Sequence, residues 1–120
     1  MKIPKFEAQT EWVKPSEFPD LRHVDEIAID LETKDPDLIK KGSGSVIGNG
    51  EVIGIAVATK HFKGYYPIAH EGGGNMDRKR VLSWLKDILE SPSTKVFHNA
   101  IYDVCWLRSM GFKINGDIAC

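Results

Sequence analysis

The stretch IAIDLETK, residues 27–34, places two acidic side chains at the end of a run that is otherwise typical of a buried β-strand. Successive side chains of a strand point to opposite faces, so the large aliphatic residues share one face and Asp30 and Glu32 share the other. Carboxylates held side by side raise each other's proton affinity unless a cation neutralises them. The pattern therefore predicts a strand that carries part of a divalent metal site.

Composition sets the outer limits of the interpretation. The 120 residues suffice for one domain with a core, and 16 basic against 17 acidic residues give a formal net charge of -1. Any contact with nucleic acid must therefore rely on local groups or metal ions. We find no segment able to span a bilayer and expect a cytoplasmic protein with no membrane partner. Cys105 and Cys120 fit neither a disulfide framework nor a metal site, and we expect buried or free thiols.

The hydrophobic pattern predicts a single α/β domain with a mixed sheet. Residues 1–22 read as an irregular lead-in, from which Phe18 and Leu21 pack on the domain. The glycine-rich segment 35–51 is expected to be a surface loop. Strands are predicted at 27–34, 52–59, 64–70 and 94–98 and near the C-terminus. The second and third form a predicted hairpin, with Pro67 at a sheet edge. Helices are predicted at 76–91, capped by Asn75, and at about 100–110, ended by Gly111.

A second informative stretch is HNAIYDVCWLRSMG, residues 98–111. On a helix, Asp103 shares a stripe with Trp106, Leu107 and Met110, which is the stripe that packs against the sheet. The carboxylate of Asp103 is therefore expected to point inward. The alternative is a buried aspartate satisfied by an arginine or by backbone groups.

Together these observations predict three carboxylates, Asp30, Glu32 and Asp103, that converge on one spot without help from His or Cys. Hard oxygen ligands of this kind favour Mg²⁺ or Mn²⁺ over Zn²⁺. A pair of such ions is suited to phosphodiester hydrolysis, because one ion activates a water and the other stabilises the leaving oxygen. The residues themselves therefore point to a metal-dependent nuclease.

The motifs DLET (30–33) and NAIYD (99–103) resemble the first two motifs of the DnaQ-like, or DEDD, 3'-5' exonucleases, which have a ribonuclease H-like fold. The chain is most similar to the proofreading domain of family A DNA polymerases, especially those of phages. Their second motif has the same Asn-x-x-Tyr-Asp form, and they also share the glycine-rich loop after the first strand. The resemblance runs from about residue 18 to the C-terminus.

The resemblance implies specific roles for the acidic residues. Asp30 would bridge two Mg²⁺ or Mn²⁺ ions, Glu32 would bind the ion that activates the nucleophile, and Asp103 would hold the second ion through water. These three residues would be both the metal ligands and the catalytic residues of a proofreading exonuclease.

The resemblance also implies a substrate, the 3' end of single-stranded DNA. Thr33 would contact the terminal nucleotide, while Asn99 and Tyr102 would shape the groove for the strand. Each of the latter two has an ordinary structural explanation as well. Asn99 can cap the following helix, and Tyr102 can serve simple packing.

The family's third motif, Tyr-x-x-x-Asp, does not occur in this sequence, and Asp117, in a turn, is not assigned to it. The resemblance therefore implies a partial domain, 1–120, truncated at its C-terminus, with a polymerase domain expected downstream. Loss of a catalytic group commonly costs two or more powers of ten in rate, so we expect weak or no activity. An apolar sheet face left bare by the missing helix could also favour a homodimer.

Three other functions were weighed. A non-catalytic nucleic-acid or protein-binding module on the same scaffold would keep the acids for structure, and a metal titration distinguishes it. A nucleotide-binding protein is disfavoured because GSGSVIGNG (42–50 region) lacks the Lys-Ser/Thr of a phosphate loop. A glycosidase is disfavoured because those enzymes place their acids on opposite sides of a sugar.

Overall fold

The computed structural model describes residues 17–120, so expectations for residues 1–16 lie outside the described part. The rest of the lead-in packs on the domain as predicted. Leu21 is buried, and the Phe18 ring lies 5.7 Å from that of Trp84, measured between centroids. The Trp84 indole N–H also donates a hydrogen bond of 2.7 Å to the carbonyl of Pro19. This segment is therefore held by aromatic packing and by partly buried hydrogen bonds, which include one of 3.3 Å from the Tyr66 hydroxyl to the Glu17 carbonyl.

The strands form one mixed five-stranded sheet, which confirms the α/β fold and the hairpin. They are β1 (Glu26–Lys34), β2 (Glu51–Ala58), β3 (Lys63–Pro67), β4 (Thr94–Phe97) and β5 (Ile118–Ala119). Their order in the sheet is β3-β2-β1-β4-β5. The β1–β2 and β2–β3 pairs are antiparallel, whereas β1–β4 and β4–β5 are parallel. Pro67 ends the edge strand β3, as predicted, where its missing N–H costs least.

The segment expected to be a loop contains two single-turn helices, α1 (Leu38–Lys41) and α2 (Gly44–Ile47). The prediction of a loop was wrong at both places. Among residues 17–120 no side chain caps the start of α1, whereas side-chain caps offset the poor helix propensity of Gly and Ser in α2. The hydroxyl of Ser43 accepts from the Ser45 N–H, and the carboxylate of Asp35 accepts from the Gly44 N–H. These caps hold the segment against the start of a later helix.

The third helix, α3 (Arg78–Leu89), is shorter than predicted and has a different cap. The side chain of Asp77 accepts from the Lys79 N–H at 3.1 Å. Asn75, the predicted cap, instead accepts from the N–H of His70 and donates to its carbonyl, at 2.7 and 2.9 Å. Because both groups of the Asn75 amide are used by one residue, the helix begins two positions later.

The fourth helix, α4 (Ala100–Ser109), follows β4 as predicted. Met110 takes the cap position, and Gly111 comes next with φ +92°. Its N–H donates to the carbonyl of Arg108 at 3.0 Å. Glycine enters this left-handed conformation without strain, which explains why the helix stops here.

The alternation of β1 is as predicted. Its aliphatic side chains Ile27, Ile29 and Leu31 lie in the main core, which they share with the apolar stripe of α3. The opposite face carries Ala28, which packs with Ala58 and Val96.

Among the described residues, the large apolar side chains that are exposed are Leu38, Ile39, Val46, Ile47, Ile101 and Ile118. The homodimer stays a prediction. None of the helices in residues 17–120 is long and apolar enough to cross a membrane.

Candidate active site

The acids of β1 lie on the face of the sheet opposite the main core, beside a concave pocket. Asp30 is partly buried and pairs with Ala56 of β2, while Glu32 is exposed and lies opposite Gly54. The pocket has a volume of about 280 Å³ and is lined by Asp30, Leu31, Glu32, Ala56 and Tyr65. The β1–β2 register shifts directly after Glu32, an irregularity that twists strands locally and often lies beside functional sites.

Asp103 is buried, with 2% of its surface exposed, so the inward orientation expected from the helical stripe is confirmed. Its Oδ2 atom has no hydrogen-bond partner within residues 17–120, and no lysine or arginine of this range pairs with it. Desolvation, and secondarily the charge of Asp30, raise the pKa of Asp103 to about 7, although a hydrogen bond from the Leu31 amide opposes the shift.

The ionised form of Asp30 is disfavoured as well. Burial raises the pKa of Asp30, and the charge of nearby His98 opposes this shift in part. Asp30 and Asp103 lie 73 positions apart in the chain, yet the charge of Asp30 destabilises the ionised form of Asp103. The structure thus brings two of the three predicted acids into one poorly solvated site.

Glu32 is engaged elsewhere. Its Oε2 atom accepts a hydrogen bond of 2.8 Å from the hydroxyl of Tyr65, on β3. In the described part of the chain, no three or more His, Cys, Asp or Glu side chains are arranged to hold a metal ion. Glu32 nevertheless lines the same pocket as Asp30, and its charge adds to the raised pKa of Asp30. The convergence of the three carboxylates on a metal ion stays a prediction.

The predicted substrate residues Thr33 and Tyr102 contact each other although they lie 69 positions apart. The hydroxyl of Tyr102 lies 2.8 Å from that of Thr33 and donates to the carboxylate of Asp35 at 2.7 Å. Asp35 in turn accepts from the Gly44 N–H, which ties α2 to α4. Asn99 caps α4, with its side chain 3.5 Å from the Tyr102 N–H, so its structural explanation holds.

Comparison with known proteins adds the family. The sequence profile of the 3'-5' exonucleases matches residues 16–118. The chain belongs to this 3'-5' exonuclease family. It is also similar to a DNA-directed DNA polymerase of Pseudomonas phage M6, with 42% identity over 114 residues that cover 87% of this chain. The chain spans 16% of the length of that polymerase.

Exonuclease domains of this family generally use divalent metal ions, and the residues present fit such an ion. The buried Oδ2 atom of Asp103 lacks a donor in the described part of the chain, and the neighbouring Asp30 adds a second hard oxygen ligand of like charge. A divalent cation would supply the missing partner and remove the repulsion between the two carboxylates. This acid pair, with its unsatisfied Asp103 oxygen, is thus the feature that accords best with exonuclease chemistry.

The sequence interpretation missed three residues around the candidate site, Asp35, Tyr65 and His70. Tyr65 could have been found, since strand alternation and the hairpin register put it on the same face as Asp30. Asp35 and His70 lie outside strands, where no periodicity predicts the direction of a side chain. Their roles depend on how the loops fold back onto the sheet.

Proposed function

We propose that this chain is the 3'-5' exonuclease domain of a phage DNA polymerase and removes nucleotides from the 3' end of single-stranded DNA by two-metal-ion hydrolysis. The observation that carries the proposal is the buried, unsatisfied carboxylate of Asp103 beside Asp30, at the position of the second exonuclease motif. The match to the phage M6 polymerase supports a polymerase domain in the longer protein and, with it, a place in the cytoplasm of an infected bacterium.

In this proposal Asp30, Glu32 and Asp103 hold Mg²⁺ or Mn²⁺. Such ions, when bound, lower the pKa of a water molecule and stabilise the leaving 3' oxygen. The protein contributes poorly solvated carboxylates from two elements, Asp30 on β1 and Asp103 on α4. Glu32, at the exposed lip of the pocket, provides the third carboxylate. Burial of the first two keeps water from competing for the ions.

The substrate residues of the proposal are Thr33, Tyr102 and Asn99. The first two form a hydrogen-bonded pair directly beyond the acids of β1, where a 3'-terminal nucleotide would contact them. Asn99, exposed at the start of α4, would line the groove for the strand. With a net charge of -1, the chain depends on the metal ions for attraction to phosphate.

The proposal includes slow hydrolysis by this chain alone. The family resemblance assigns a fourth carboxylate and a water-orienting tyrosine to a Tyr-x-x-x-Asp motif, which the 120 residues do not contain. An oligonucleotide labelled near its 3' end and incubated with the chain and Mn²⁺ measures this rate.

Metal-dependent stability tests the proposal. We expect Mn²⁺ at 100 times its dissociation constant to stabilise the wild type by about 2.7 kcal/mol, because the ion binds only the folded site. The variant Asp30→Asn should lose this increment, which urea denaturation with Mn²⁺ or with EDTA measures. Asp117→Asn, at an exposed position, is the matched control and should keep it.

An increment of the same size in Asp30→Asn would contradict the proposed site. The absence of any Mn²⁺ effect in the wild type would favour the alternative, a non-catalytic binding module on the same scaffold. In this alternative Glu32 would serve structure alone, through its hydrogen bond with Tyr65.

A further inference from the structure

The hydroxyl of Tyr65 lies between two groups at the edge of the candidate site. It donates to Oε2 of Glu32 at 2.8 Å, and Nε2 of His70 lies 2.5 Å from its oxygen. Since the hydroxyl proton is used by Glu32, the imidazole of His70 must carry its proton on Nε2 and donate it to the Tyr65 oxygen. The three side chains thus form a directional chain of hydrogen bonds that ends on a carboxylate.

Gly54 makes this contact possible. It pairs with Glu32 on β1 and with Pro67 on β3, so it lies under the path of the Tyr65 ring across β2. A Cβ atom at position 54 would lie 1.8 Å from the Tyr65 hydroxyl oxygen, closer than any real contact. Only glycine leaves room for a tyrosine of the edge strand to reach the central strand over its neighbour.

The backbone that carries the imidazole is held by Asn75. The side chain of Asn75 accepts from the backbone N–H of His70 and donates to its backbone carbonyl, at 2.7 and 2.9 Å. The rings of His70 and Tyr65 meet edge to face, with centroids 5.7 Å apart. An exposed carboxylate on a flexible side chain would otherwise sample several rotamers, so this chain of contacts restricts Glu32 to one of them.

We propose that Tyr65 and His70 are positioning residues that orient Glu32 for metal binding. This inference rests on the proposed function, because it takes Glu32 as a metal ligand. Tyr65 occupies one carboxylate oxygen, Oε2, and leaves Oε1 for an ion. Such partners of metal ligands are commonly worth 10-fold to 100-fold in metal affinity.

The test measures Mn²⁺ affinity of the full 120-residue chain by electron paramagnetic resonance, which detects the free hydrated ion. We expect Tyr65→Phe to bind Mn²⁺ about 10-fold to 100-fold more weakly. Tyr66→Phe is the matched control, because it removes the same hydroxyl oxygen from the next residue. The Tyr66 hydroxyl donates to the Glu17 carbonyl, so this variant should bind Mn²⁺ as tightly as the wild type.

His70 gives a second, independent readout. His70→Ala should weaken Mn²⁺ binding, whereas His70→Gln should keep most of it because the amide can also donate. The double variant Tyr65→Phe/His70→Ala should bind Mn²⁺ no more weakly than Tyr65→Phe. That non-additivity is expected because His70 acts through Tyr65, whereas two independent structural losses would add. Circular dichroism checks that each variant is folded.

The results distinguish the positioning role from the proposed function. Wild-type affinity in Tyr65→Phe, with the loss in Asp30→Asn preserved, overturns the positioning role and leaves the proposed function standing. Additive losses in the double variant also overturn it. Lack of Mn²⁺ binding by the wild type overturns both, because there would be no ion for Glu32 to bind.

Discussion

Replacing Asp103 by Asn is expected to stabilise the metal-free protein at pH 8 by roughly 3 to 4 kcal/mol while it abolishes stabilisation by Mn²⁺. The carboxylate is buried, lacks a partner at Oδ2 and faces the charge of Asp30, so its ionised form is costly. An amide has nearly the same shape and no charge. Urea denaturation in EDTA at pH 5 and pH 8 measures the difference.

The pH dependence has a definite sign. Burial first, and Asp30 second, raise the pKa of Asp103 from 3.8 to about 7 in the folded protein. Between these two values the folded state retains a proton that the unfolded state has released. The stability of the wild type should therefore fall as the pH rises through this window, and Asp103→Asn should remove most of that fall.

Asp117→Asn is the matched control for Asp103→Asn. Because Asp117 is exposed, its replacement should leave the stability at pH 8 almost unchanged. Equal or lower stability of Asp103→Asn at pH 8 in EDTA would show that the acid is satisfied in the folded protein. The central argument for a cation site would then be lost.

Replacing Lys95 by Met is expected to cost about 3 kcal/mol or more of unfolding free energy. Lys95 is 0% exposed, and its ammonium group donates to the carbonyls of Ser91, Ser93 and Asn115. Methionine fills a similar volume but leaves these carbonyl groups without a donor. Denaturation in guanidinium chloride, monitored by circular dichroism, measures the loss.

Lys86→Met is the matched control for this substitution. Lys86 is exposed on α3 and pairs with Glu90 at 2.7 Å, an arrangement that contributes only a few tenths of a kcal/mol. A loss in Lys95→Met as small as in this control would contradict the role of Lys95. The expected difference identifies Lys95 as the link that joins the end of α3 to β4 and to the turn before β5.

The sequence alone determined those features that depend on a local period. Alternation along 27–34 placed the aliphatic side chains in the core and Asp30 on the other face, because successive side chains of a strand point to opposite faces of the sheet. The helical stripe of 98–111 likewise determined that Asp103 points inward. The mixed sheet followed from the order of strands and helices, and the resemblance pointed to the exonuclease family.

Only the tertiary structure decided which groups meet. The register of the hairpin and the missing side chain at Gly54 let Tyr65 reach Glu32, so one oxygen of this acid is held from the edge strand β3. The contact of Asp35 with Tyr102, which ties α2 to α4, joins residues 67 positions apart in the chain. A local pattern specifies the face on which a side chain lies, whereas its partner is specified by strand register and loop closure, which no short stretch contains.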